Sequence, residues 1–208
     1  MKKNIFITGI STDVGKTLAA AIVVEALEAD YWKPIQAGDV SYGDKDRVQA
    51  LISNSSSKFF PNTYALKTPM SPHAAAEIDQ VTIQVNKITA PETNQTLVIE
   101  GAGGLLVPIN NTQTIADIIP QDALVVVVSK HYLGSINHTL MTLELLKQKG
   151  VKTALIYSGD EHPTTESIVA KMTNVPVIGR INQEAEINKQ VVKKYATLFK
   201  SNLEDELN

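Results

Sequence analysis

The 208-residue sequence is 43% hydrophobic and carries a net charge of −3 at pH 7, which gives it enough apolar content for one buried core and no general electrostatic case for nucleic-acid binding. It contains no cysteine, which excludes disulfides, thiolate metal sites and a cysteine nucleophile. No stretch reads as a signal peptide or a membrane span, since residues 5–7 are too short and residues 124–128 are cut off by polar residues. A cytoplasmic protein of one domain, 1–208, with neither nucleic acid nor membrane as partner, is therefore expected.

Residues 5–7, Ile-Phe-Ile, predict a first strand, and residues 9–17 follow as Gly-Ile-Ser-Thr-Asp-Val-Gly-Lys-Thr. A strand, a Gly-rich turn and a helix of about 15–28 are the context a phosphate-binding loop requires, because backbone N–H groups and a helix N-terminus must converge on one anion. The loop has one residue more between its glycines than the usual nucleoside-triphosphate pattern. Gly9, Asp13, Val14 and Gly15 shape the loop, Lys16 would reach the outer phosphates, and the Thr17 hydroxyl would join the shell of a Mg²⁺ ion.

Residues 31–35 predict a second strand ending near Pro34, with a loop over 36–42 and a helix over 44–52 that carries its acids in the first turn. Residues 61–76 form an irregular excursion with Pro69, Pro72 and His73, followed by a short helix at 74–79. Residues 81–85 fit a strand or a helix start equally. The apolar strand 96–100 ends in Glu100 and runs into Gly101-Ala102-Gly103-Gly104, a short helix is expected over 114–119, and residues 123–128 read as a central parallel strand covered on both faces. A helix opening at Ser135 and ending at Gly150, a strand at 151–157, a helix at 165–172, a strand at 175–178 and a terminal helix at 184–199 complete the chain, with the acids 204–206 frayed. Strand and helix alternate throughout, so the fold class is α/β, a doubly wound and mostly parallel sheet.

Parallel strands bring their C-terminal ends to one edge. That edge would collect the 9–17 loop, Lys33, the acids of residues 44–46 and Glu100, a set suited to Mg²⁺-nucleotide chemistry. An acid after three apolar residues is costly unless paired or metal-bound, so Glu100 reads as a Mg²⁺ ligand or as an ion-pair or capping partner. Spacing does not separate Asp46 from Asp44 or Asp13 as a further ligand. Lys33 is either a second phosphate-binding cation or an exposed lysine, and Gly101 and Gly103 would allow close backbone approach to a ligand or simply make a turn.

Together these segments resemble the dethiobiotin synthetase family. The likeness rests on residues 9–17, Lys33-Pro34-Ile35-Gln36, Ser71-Pro72-His73, Glu100-Gly101-Ala102-Gly103-Gly104, Gly134-Ser135-Ile136-Asn137-His138 and Pro176-Val177-Ile178-Gly179-Arg180, in that order along the chain. The resemblance implies ATP-dependent ring closure of 7,8-diaminononanoate with CO₂ by a homodimer, with release of ADP and phosphate. It also implies that Lys16 and Lys33 act on the transferring phosphate and the carbamate, that Thr12 faces substrate and phosphate, and that Thr17, Asp46 and Glu100 surround Mg²⁺. Pro72, Gly134, Ser135, Ile136 and Asn137 would contact substrate, the last four from across the dimer, and Ser158 would lie beside the nucleotide.

The sequence departs from the family pattern at particular points. Ala37 stands where a hydroxyl residue commonly precedes the glycine, Ile10-Ser11 replaces Thr-Asp, and residues 129–133 replace a basic-Leu-Gly run. Tyr157-Ser158 occupies the strand end where the family usually presents an asparagine to the base, and neither side chain offers an amide's paired donor and acceptor. Another P-loop synthase and a partitioning or regulatory P-loop ATPase are the alternative readings, and no basic tract or amphipathic anchor favours the latter.

Overall fold

The computed structural model describes residues 3–208; the first two positions of the expected domain lie outside the described residues. β1 (Asn4–Gly9) leads into α1 (Lys16–Leu27), β2 (Asp30–Trp32), β3 (Ile35–Ala37), α2 (Asp44–Leu51), β4 (Tyr64–Leu66) and α3 (Pro72–Ile78). β5 (Leu97–Gly104), β6 (Leu124–Lys130), α4 (Ser135–Lys149), β7 (Thr153–Ser158), α5 (Pro163–Thr173), β8 (Val177–Ile181) and α6 (Lys189–Leu207) follow.

Six strands form one sheet in the order β2-β5-β1-β6-β7-β8, and every pairing in it is parallel. The strand order runs leftward from β1 to β2 and rightward from β6 to β8. Right-handed crossovers therefore send α1 to one face and α4 and α5 to the other. α6 packs against α1 and β8, which completes the first layer. Burial on both faces explains the continuous aliphatic runs: Ile5, Phe6 and Ile7 of β1 and Val125 to Val128 of β6 are all inaccessible to solvent. On α1, residues 19–24 are buried too, and the three alanines among them let the helix lie close to the sheet and to α6 beside it.

Several predicted boundaries are corrected. The stretch 31–35 is two strands rather than one: β2 joins the main sheet, and β3 pairs in parallel with β4 in a separate two-stranded sheet, so residues 36–37 are strand and not loop. Residues 81–84 belong to no helix or strand, and only a single 3₁₀ turn follows at Val85–Lys87. The helix expected over 114–119 is likewise a 3₁₀ turn, Ile115–Ile118.

β8 continues through Gly179 and Arg180, where the sequence suggested a stop. A Cβ at Gly179 would lie 2.2 Å from Phe199 Cε1, so this glycine makes room for an α6 ring inside a regular strand. The acidic end of the chain is helical, because α6 buries Val192, Tyr195, Phe199 and Leu203 on one stripe as far as its last turn.

Candidate active site

β1 ends at Gly9 and the chain turns through residues 10–15 into α1. Close packing dictates glycine at position 9, where a Cβ would lie 2.5 Å from Val14 Cγ2, while Val14 itself is buried in the core. Gly15 holds φ +96° and faces Ser158 Oγ, which stands 3.0 Å from where its Cβ would be. Asp13 is also left-handed, at φ 56°. These positive-φ positions turn the chain sharply onto the helix axis.

Lys16 folds back so that Nζ donates to the Ser11 carbonyl at 2.9 Å. Burial, reinforced by the neighbouring Lys33 ammonium, lowers its pKa to about 8 against the opposing pull of Glu100, Asp13 and Asp44. One residue on, Thr17 Oγ1 donates to Glu100 Oε1 at 3.0 Å.

Glu100 is the hub of the site. It is 1% exposed, and its Oε1 accepts from both Thr17 and Lys33 Nζ, the latter at 3.0 Å, while Oε2 accepts from the Tyr31 hydroxyl at 2.8 Å. Lys33 Nζ also lies 2.5 Å from Asp44 Oδ2. Burial alone would lower the Lys33 pKa, but the Glu100 and Asp44 carboxylates outweigh it and hold the ammonium above its ordinary value. The reciprocal holds for Asp44, where burial opposes ionisation but Lys33, with help from Arg47, keeps the carboxyl below its usual range.

A cavity of about 700 Å³ is lined by Thr12, Asp13, Gly15, Lys16, Thr17, Lys33, Asp44, Pro72, Glu100 and Gly103. Ala37 presents only a methyl group to the same wall. Asp46 does not line it. Its Oδ2 accepts the Gly43 N–H at 2.9 Å and caps α2, so Asp44 is the acid of that turn which the fold brings to the cavity. The oxygens of Thr17, Asp44 and Glu100 form a hard donor set that suits Mg²⁺. No group of three His, Cys, Asp or Glu able to hold a metal alone occurs among the described residues, so nucleotide oxygens and water would complete such a shell.

The two glycines after Glu100 part company. Gly101 faces the core, where a Cβ would meet the Phe6 ring at 3.1 Å and Ile115 at 3.2 Å, whereas Gly103, at φ +69°, opens onto Thr12 and the cavity. Thr12 and Val107 also line an adjoining apolar groove of about 650 Å³ with Leu105, Leu106, Pro108, Met141 and Leu145. Gly134, Ser135, Ile136 and Asn137, at the start of α4, lie apart from the phosphate cavity and line a cavity of about 840 Å³ with His131 and His162.

Tyr31 is the participant that sequence reasoning missed. Only the register of β2 on β5, with Tyr31 beside Val98 and Trp32 beside Ile99, shows that its hydroxyl meets Glu100. At the C-terminal ends of β6 to β8, Glu166 of α5 accepts from Arg180 and pairs with His131 at 2.9 Å, while Tyr157 stacks on His131.

Fold and loop together define a P-loop nucleotide-binding α/β protein. A family described as an AAA domain matches residues 3–191. Solved structures share the architecture at low identity. A ParA family ATPase from Chlorobium tepidum superposes with a TM-score of 0.59 at 13% identity, covering 99% of this chain and 94% of that one. The MinC:MinD cell division complex of Aquifex aeolicus gives 0.58 at 14%, covering 98% and 96%.

Similarity along the whole sequence is more specific. The chain is 57% identical to the ATP-dependent dethiobiotin synthetase of Christiangramia forsetii, covering 98% of this chain and 99% of that one. It is 46% identical to the enzyme of the same name from Cytophaga hutchinsonii, covering 93% and 95%. The chain belongs to the ATP-dependent dethiobiotin synthetase family.

Proposed function

We propose that this chain, acting as one domain, closes the ureido ring of dethiobiotin from 7,8-diaminononanoate and CO₂ at the expense of ATP. The observation that carries the reading is the joining of two unlike cavities. A charged phosphate cavity holding Lys16, Thr17, Lys33, Asp44 and Glu100 meets an apolar groove at Thr12 and Val107. A substrate with two amines at one end of an aliphatic chain has a place for each part: the amines beside the phosphate loop and the methylenes along the groove.

In this reading a substrate amine adds to CO₂ and loses a proton, giving a carbamate. A carbamate oxygen attacks the γ-phosphorus, ADP leaves, and the neighbouring amine then attacks the carbamoyl carbon, expelling phosphate and closing the ring. No side-chain nucleophile is needed, so the protein acts by alignment and charge.

Lys16 holds the transferring phosphoryl group from the loop side. Lys33, kept protonated between two carboxylates, faces it from the other. Thr12 sits where groove and phosphate cavity meet, Pro72 and Gly103 shape the wall, and Gly9, Asp13, Val14 and Gly15 set the loop backbone. Thr17, Asp44 and Glu100 would hold Mg²⁺, which supplies neutralising charge to the phosphate oxygens. Asp46 supports that set indirectly by capping α2. Ser158, against Gly15, borders the nucleotide.

Gly134, Ser135, Ile136 and Asn137 would receive the distal carboxylate across a homodimer, which accounts for their separation from the phosphate cavity of their own chain; backbone N–H groups at the start of α4 suit an anion. A cytoplasmic location accords with the absence, among the described residues, of any helix long and apolar enough to cross a membrane. The mechanism is tested with ¹⁸O-labelled CO₂. Carbamate attack carries one labelled oxygen into each released phosphate, and phosphate without label would overturn the route.

A further inference from the structure

We infer that Tyr31 is a positioning residue of the phosphate site: its hydroxyl fixes the Glu100 carboxylate so that Oε1 alone is presented toward Thr17, Lys33 and the metal. The inference rests on the metal assignment made for the proposed function. Tyr31 is fully buried, its ring packs against Phe59 with centroids 5.7 Å apart, and it does not line the cavity. A phenylalanine would fill the same core, and among the described residues the one partner of the hydroxyl is Glu100 Oε2, at 2.8 Å.

The geometry divides the carboxylate in two. Oε2 is turned inward to the phenol of the neighbouring strand, while Oε1 takes both site donors, Thr17 Oγ1 and Lys33 Nζ, at 3.0 Å each. Without the phenol, Oε2 would be a buried anionic oxygen lacking a donor. The carboxylate would then gain by rotating that oxygen toward the ammonium and the cavity, which abandons the orientation on which a metal-binding oxygen depends.

The experiment reads metal linkage rather than turnover. Binding of a fluorescent ATP analogue is titrated in EDTA and in saturating Mg²⁺, and the Mg²⁺-dependent gain in affinity is compared between wild type, Tyr31→Phe and Trp32→Phe. Trp32→Phe removes a similar bond on the same strand, Nε1 to the Pro61 carbonyl at 3.1 Å, without touching Glu100. Supporting partners of metal ligands are worth roughly 10–100-fold in metal affinity, so the gain falls about tenfold or more in Tyr31→Phe, with binding in EDTA nearly unchanged. In Trp32→Phe the gain stays at the wild-type value.

A wild-type gain in Tyr31→Phe, or an equal loss in Trp32→Phe, overturns the inference and leaves the metal assignment standing. Absence of any gain in wild type overturns both. If Tyr31→Phe does not fold, Tyr31→Phe/Glu100→Gln removes the orphaned charge and recovers the fold; failure of that double variant also overturns the inference.

Discussion

Asp44 and Asp46 share the first turn of one short helix but face different surroundings, so exchanging each for asparagine separates chemistry from stability. Asp46 Oδ2 holds the Gly43 N–H at 2.9 Å. Loss of such a cap costs about 0.5–2 kcal/mol, and asparagine retains a weaker acceptor, so Asp46→Asn is expected near the low end of that range. For a chain of this size that is roughly 1–4 °C in Tm, with turnover within a few-fold of wild type.

Asp44→Asn acts on the Lys33 ammonium, which is 2.5 Å from Asp44 and 3.0 Å from Glu100. One carboxylate remains to neutralise the buried lysine, which limits the stability cost to about 1–2 kcal/mol. The cavity nevertheless loses a charge that would face the metal. Removing one preorganised electrostatic contact of this kind costs about 10²–10³-fold, so kcat should fall about a hundredfold, equivalent to about 2.7 kcal/mol. Melting curves and initial rates on the two purified variants give the comparison. Near-normal turnover in Asp44→Asn together with lost turnover in Asp46→Asn would refute the assignment.

Other consequences concern charge and specificity. With Lys16 titrating at about 8 in the free protein, nucleotide affinity should hold steady below that pH and weaken above it, as the ammonium that binds phosphate is lost; Lys16→Ala should abolish phosphoryl transfer while leaving the melting curve cooperative. Burial works against Glu166 ionisation, but the bonds from Arg180, the His162 backbone and His131 depress its pKa from 4.5 to about 2. A depressed carboxyl contributes stability that is complete above its unfolded value and lost as pH falls through the folded one. Glu166→Gln should therefore cost about 1–3 kcal/mol at neutral pH, and the difference from wild type should close between pH 4.5 and 2 in acid-denaturation curves.

The Tyr157 hydroxyl is buried with no hydrogen-bond partner among the described residues, and Ser158 packs at Gly15, so neither offers a base the paired donor and acceptor of an amide. Rates with ATP, GTP and CTP should be comparable under matched conditions, and a strong preference for ATP would refute this.

The strand, loop and helix of residues 4–27 were legible because their cause is local: a buried aliphatic run, glycines where side chains do not fit, and a helix-forming segment. Glu100 was legible for a similar reason, as an acid following an apolar run, although β5 does not end there as expected but continues through residues 101–104. Pairings remote in sequence were not. β3 and β4 are three-residue strands separated by a helix and a proline-bearing loop, and nothing in either names the other. Gly179 looked like a stop because its constraint comes from Phe199, and the acids 204–206 looked frayed because the anchor beneath them, Leu203, belongs to the α6 stripe. Asp44 and Asp46 differ only in which side of a helical turn they occupy, a distinction made by where α2 docks. Tyr31 is the plainest case, since its partner is set by the register of two neighbouring strands.

The central claim is coupling of ATP cleavage to ring closure in this cavity. Phosphate release by the purified chain is measured with Mg-ATP and bicarbonate, with and without 7,8-diaminononanoate, and dethiobiotin is quantified by mass in the same tubes. Phosphate release should depend on the diamine and match the product one for one. Phosphate released at the same rate without the diamine, with no dethiobiotin formed, would contradict it.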